Sequence, residues 1–201
     1  MKPPLKATPV GEHALVWHRF APEVKVDLWS TAVRQADTWW VIDPVGAPEE
    51  IIFPKCWPPC PPQAVLLTSE NHLRDAVVWH AILGCKISAP PEMQTGYGDV
   101  PGIIFELPPN APEQVPLPGG ALGERAFWFE TCALLVVGDA IINLPELPLS
   151  LLPDKYCEDP ALLPRSLQHL DRLKPLAVTF AHGPPLVGGA ACARLREVRL
   201  G

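Results

Sequence analysis

Apolar positions along the chain gather into short runs separated by polar turns. His13–Arg19 (HALVWHR) and Val24–Val33 (VKVDLWSTAV) carry β-branched and aromatic residues in partial alternation, which predicts two strands of an opening meander. Thr38–Asp43 (TWWVID) predicts a third, ended by Pro44 and Gly46, and Asp37 at the preceding turn makes strands two and three a hairpin. Ala64–Leu67 (AVLL) has the length and character of a strand buried on both faces. Polar Thr68, Ser69, Glu70 and Asn71 follow, and helical spacing predicts a helix over roughly Glu70–Leu83, stopped by Gly84. Cys85–Ser88 predicts a short strand that closes a strand–helix–strand unit.

Pro90–Gly123 is rich in Pro and Gly, which predicts loops around one or two short strands, with Ile103–Leu107 the best candidate. Glu124–Glu130 (ERAFWFE) and Cys132–Val137 (CALLVV) predict two more strands, the second ended by Gly138-Asp139. Pro160–Leu173 has Leu162, Leu163, Leu167, Leu170 and Leu173 at helical spacing. Leu176–Phe180 (LAVTF) predicts the last buried strand, with His182-Gly183 directly after it, and Ala190–Leu200 a closing helix. Strands first, then strand–helix–strand, then strands, helix, strand and helix suit an α/β (α+β) protein. The order predicts two sheets packed face to face with helices outside, in one domain over residues 1–201, rather than a doubly wound single sheet.

Composition supports a packed chain: 201 residues with 48% hydrophobic and 19% charged content can bury a core without disulfides or a scaffolding metal. A formal charge of -6 argues against nucleic acid or an anionic membrane surface as the main partner. The opening MKPPLKATPVGEH has no apolar core of a secretory signal, and no run reaches the roughly 18 apolar residues of a spanning helix. A cytoplasmic protein is expected, with its six cysteines as reduced thiols. Cys56 and Cys60 in CWPPC have Cys-x3-Cys spacing with no second pair, so they read as a surface loop before a zinc site. The 27 prolines fall mainly in connecting stretches such as Pro54–Pro62, Pro108–Pro118 and Pro145–Pro153, which predicts stiff connections.

Three side chains able to hold a metal fall just past three apolar strands: His72, Asp139 and His182. The carboxyl ends of strands are where α/β proteins place ligands. Two histidines and one aspartate suffice for one divalent ion and leave a position for water, whose pKa such an ion lowers toward ~7. Asp75, one helical turn after His72, could orient its imidazole, with Asn71 as a further supporting group. Taken singly, each has a plainer explanation. His72 could be a polar turn residue, Asp75 a first-turn acid, Asp139 a turn cap, and His182 a donor to loop carbonyls. No Gly-x-Ser-x-Gly elbow, GxGxxG or phosphate loop offers another site.

Four stretches in order resemble the metallo-β-lactamase fold superfamily. TWWVIDP is similar to its strand ending in Asp-Pro, and AVLLTSENHLRDA to the strand entering its His-x-His-x-Asp-His loop. LVVGDAI looks like the strand ending in the metal-bridging Gly-Asp, and TFAHG like the strand ending in the last ligand histidine. The resemblance implies a four-layer αββα sandwich of two mixed sheets, a metal site where the sheets meet, and hydrolysis of amides, esters, thioesters or phosphodiesters. It also implies a divergent member with an incomplete motif. Counted from Thr68, the loop's ligand positions hold Ser69, Asn71, Leu73 and Arg74, and Gly120 stands where PGGALGE would need a histidine. His72 fits if the loop is shortened, and with Asp139 and His182 resembles a remnant of the second-metal set. Arg74 could bind an anionic substrate group or fill the lost metal's volume with its own charge.

Two functions follow. One is a metal-dependent hydrolase with at most one ion (zinc first, then iron or manganese) at His72, Asp139 and His182. Asp139 and His72 would be its catalytic pair and metal-bound water its nucleophile. Its substrate would be a small ester or thioester, or one bound at the interface of a homodimer. The other is a binding or scaffold protein that keeps the sandwich and has lost the metal.

Overall fold

A computed structural model describes residues 3–35, 37–55, 57, 60–145 and 147–200. Seven strands pair in chain order in the first sheet: β1 (Thr8–Val10), β2 (Ala14–Ala21), β3 (Val26–Gln35), β4 (Thr38–Ile42), β5 (Ala64–Leu66), β6 (Lys86–Ser88) and β7 (Ile103–Ile104). The first four run antiparallel and the rest join in parallel. The expected hairpin is present, with Gln35 opposite Thr38. Five strands form the second sheet, again in chain order: β8 (Glu113–Pro116), β9 (Arg125–Phe129), β10 (Leu134–Val137), β11 (Ala177–Phe180) and β12 (Leu186–Val187). Only β10 and β11 are parallel there.

Period-two alternation sorts the side chains into layers. Trp39 and Val41 face α1 (Ala76–Leu83) together with Trp17, Trp79 and Ile87, whereas Trp40 and Ile42 face the second sheet and meet Phe127, Phe129, Leu134 and Val136. The next residues along β10, Leu135 and Val137, point outward with Val178 and Phe180 against α2 (Leu163–Ser166) and α3 (Ala190–Leu200). This is an αββα sandwich, as the order of elements predicts. Between the sheets, Thr31 Oγ1 donates to Thr179 Oγ1 at 2.9 Å. Thr31→Val is expected to lower stability by about 1–2 kcal/mol by leaving Thr179 unpaired, and Thr31→Val/Thr179→Val to regain most of it, measured by urea denaturation.

Two predicted helices are shorter than their periodicity. Glu70–Leu83 breaks into a 3-10 turn, Glu70–His72, and α1, because Arg74 takes a left-handed φ of 39° between them. Pro160–Leu173 becomes one α-helical turn (α2) followed by the 3-10 turn Leu167–Leu170, with Leu163, Leu167, Leu170 and Leu173 buried as their spacing requires. The proline-rich segment before Gly123 hides β8, whose Pro116 is tolerated because β8 is an edge strand. Cys56 of the CWPPC loop lies outside the described residues; Cys60 is an exposed free thiol. Among the described residues, no helix is long and apolar enough to cross a membrane.

Candidate metal centre

Register brings the three candidates together. In the parallel pair β10–β11, Val137 lies opposite Phe180, so Asp139 and His182, each two residues further on, leave neighbouring strand ends. In β4–β5, Ile42 lies opposite Leu66, which puts Asp43 beside the Leu67–Thr68 exit that leads to His72. The carboxyl ends of both sheets thus share one edge. Gly183 secures the last of these exits: its φ is 112°, and a Cβ there would collide with the main-chain carbonyl of Asn143, whose own amide donates to His182 O at 2.9 Å.

His72 Nε2 lies 3.1 Å from Asp139 Oδ1, and His182 Nε2 lies 3.0 Å from the same oxygen. One donor atom from each of the three residues falls within 4.8 Å of the others. Asn71 Nδ2 donates to Asp139 Oδ2 at 3.0 Å. Asp43, not Asp75, is the carboxylate in contact with the His72 ring. Asp43 Oδ2 lies 3.0 Å from His72 Nδ1, and Thr68 Oγ1 lies 2.6 Å from the same nitrogen while donating to Asp43 Oδ2. Asp75, just before α1, accepts from Gly46 N at 2.6 Å. Arg74 is partly exposed and turns its guanidinium onto the carbonyls of Trp29, Asp43 and Ala181.

The electrostatics follow from burial. Burial opposes a charge on His72, but the Asp139 carboxylate, aided by Asp43 and opposed by Arg74, raises its pKa from 6.5 to about 9. Burial also works against ionised Asp139, yet His72 and His182 hold its carboxyl well below the usual range. Glu124 goes the other way: burial, reinforced by Asp139, pushes its carboxyl well above the ordinary value. Its Oε1 accepts from Ala140 N at 3.1 Å, whereas its Oε2 is buried without a hydrogen-bond partner among the described residues. Glu124 also fills the space beside two glycines. A Cβ on Gly120 would come within 2.8 Å of Glu124 Cγ, and one on Gly138 within 2.6 Å of Glu124 Oε1.

Asp43, Thr68 and Glu124 were not among the sequence candidates. Asp43 carried the same signal as Asp139, a lone acid just past an apolar strand. Thr68 and Glu124 carried none beyond polarity next to an apolar run.

The donor set suits one divalent ion. Donors around a four-coordinate ion with bonds near 2.0–2.1 Å stand roughly 3.3 Å apart, close to the separations from Asp139 Oδ1. The Asp43–His72 contact supplies the carboxylate that fixes a ligating ring from behind.

No protein-family model and no curated protein matches the chain. Solved structures do. A metallo-β-lactamase from Pontibacter korlensis superposes with TM-score 0.72 at 14% identity, covering 98% of this chain and 99% of that one. The metallo-β-lactamase FIM-1 from Pseudomonas aeruginosa, in its mono-zinc form, gives 0.68 at 13%, covering 98% and 95%. The chemotaxis sensor ODP, seen as a peroxy diiron species, gives 0.68 at 12%, covering 96% and 94%. Layer order, strand-end site and end-to-end superposition agree: this chain has the metallo-β-lactamase fold.

Proposed function

We propose that the chain is a metal-dependent hydrolase that works with one divalent ion, held by His72, Asp139 and His182, on a small ester- or thioester-like substrate. The observation that carries this reading is the convergence of three donors from three strand ends, with the far nitrogen of His72 already held by Asp43. A bound divalent ion supplies Lewis acidity and lowers the pKa of a water toward neutrality. The chain's own residues do the rest. Asp43 and Thr68 fix the His72 ring, and Asn71 holds the second oxygen of Asp139. The side chain of His182 is 18% exposed against 2% for His72, so the centre opens on the side of His182 and the exposed Asn71, where a small substrate would enter.

One observation favours the second reading, a metal-free binding or scaffold protein. The Asp43 and Asp139 carboxylates flank the His72 ring on its two nitrogens, with the Arg74 charge close by, and they favour a protonated ring that balances them without an ion. Elemental analysis of untagged protein purified without chelators separates the two. The hydrolase should carry about one zinc, iron or manganese per chain. His182→Ala should then lower hydrolysis of 4-nitrophenyl acetate or a short acyl thioester by at least about 100-fold, while the protein keeps most of its stability. Protein that stays free of metal after incubation with all three ions would establish the second reading.

A further inference from the structure

The side chain of Arg74 reaches across the edge where the two sheets meet. Nη1 donates to the carbonyl of Trp29 at 2.7 Å and to that of Asp43 at 3.1 Å, and Nη2 reaches the carbonyl of Ala181 at 3.4 Å. These carbonyls belong to three segments: β3, the exit of β4, and the exit of β11 in the other sheet. Trp29 N in turn donates to Ala181 O at 2.9 Å, and Ser30 Oγ to Asp43 O at 2.9 Å, so the contacts form one closed set. Two of the three segments govern the histidines. Asp43 holds His72 Nδ1 through its carboxylate, and Ala181 immediately precedes His182. Asp43 and Arg74 both take left-handed backbone conformations, with φ of 50° and 39°, which L residues keep only where their surroundings fix them. A guanidinium offers several donors in one rigid plane and can serve carbonyls from separate segments at once; an ammonium is a point charge on a flexible stem.

We propose that Arg74 is a positioning residue of the centre: its guanidinium ties the Asp43 and Ala181 segments together across the sheets and so sets His72 and His182 against Asp139. This deepens the single-metal reading, and it makes a claim about the two rings that holds without any ion.

Arg74→Lys tests it, because the charge facing an incoming cation is kept and only the planar fork is lost. In chelated protein, long-range proton–nitrogen spectra should show one fixed set of ring signals each for His72 and His182, and exchange-broadened sets in Arg74→Lys. Cobalt(II) affinity should fall about 10–100-fold in that variant, with an altered visible spectrum. In Arg74→Ala, added methylguanidinium should sharpen both ring signals again, since the site of Arg74 is partly open to solvent. A folded Arg74→Lys protein whose two rings match the parent overturns the inference, whatever the ion affinity. If that variant does not fold, ring signals of Arg74→Ala that ignore methylguanidinium overturn it. A parent chain that takes up no cobalt overturns the single-metal reading alone, and the ring signals still decide the role of Arg74.

Discussion

Asp139→Ala is expected to destabilise the metal-free protein by about 3–5 kcal/mol and to abolish metal uptake, the largest effect of any single change at the centre. Three donors converge on this carboxylate: Asn71 Nδ2, His72 Nε2 and His182 Nε2. Its removal strands a buried imidazolium with Asp43 as its remaining carboxylate, and breaking a buried ion pair from one side costs more than the pair contributes. Asp75→Ala is the control. It removes one acceptor from Gly46 N, outside the His72–Asp139–His182 set, and should cost about 1–2 kcal/mol with metal uptake intact. Urea denaturation in the presence of chelator, paired with zinc titration, reads both. Equal losses for the two variants would mean that Asp139 is an ordinary turn cap.

The same contrast shows where the sequence was informative. Strand exits are encoded locally: an apolar run followed by one polar residue marks Asp139 and His182, and parallel pairing of their strands makes them neighbours. Which acid stands behind His72 is not local. Asp75 is close in sequence, whereas Asp43 arrives through the β4–β5 register, a long-range pairing that no spacing rule shows. The helix break at Arg74 was hidden for another reason. The residue's left-handed backbone cuts the helical periodicity of Glu70–Leu83, and nothing about arginine as a residue type announces that conformation. Glu124 is legible only in three dimensions, since its place depends on two glycines that leave room for it, Gly120 nearby in the chain and Gly138 on another exit.

Raising the pH from 6.5 to 9 should weaken the chelated protein by about 3 kcal/mol, the free-energy equivalent of moving the His72 pKa across that interval. The folded form binds this proton more tightly than the unfolded chain. The contribution is therefore complete below the unfolded value of 6.5 and lost as the pH passes the folded value of about 9. Glu124 acts in the same direction from lower pH. Its folded carboxyl keeps a proton that the unfolded chain releases near 4.5, so stability declines as pH rises above that point. Asp139 has the opposite sign, because its folded pKa is depressed: its contribution is present above 3.8 and disappears as acid protonates it. The three together place the stability maximum in mildly acidic solution. Glu124→Gln should flatten the limb above pH 4.5 and His72→Gln the limb above 6.5, while a rise in stability between pH 6.5 and 9 in the parent would contradict the charge assignment of His72. Metal uptake must show the reverse trend. A ligating His72 gives up its proton, so ion affinity should increase over the interval in which the ion-free fold weakens.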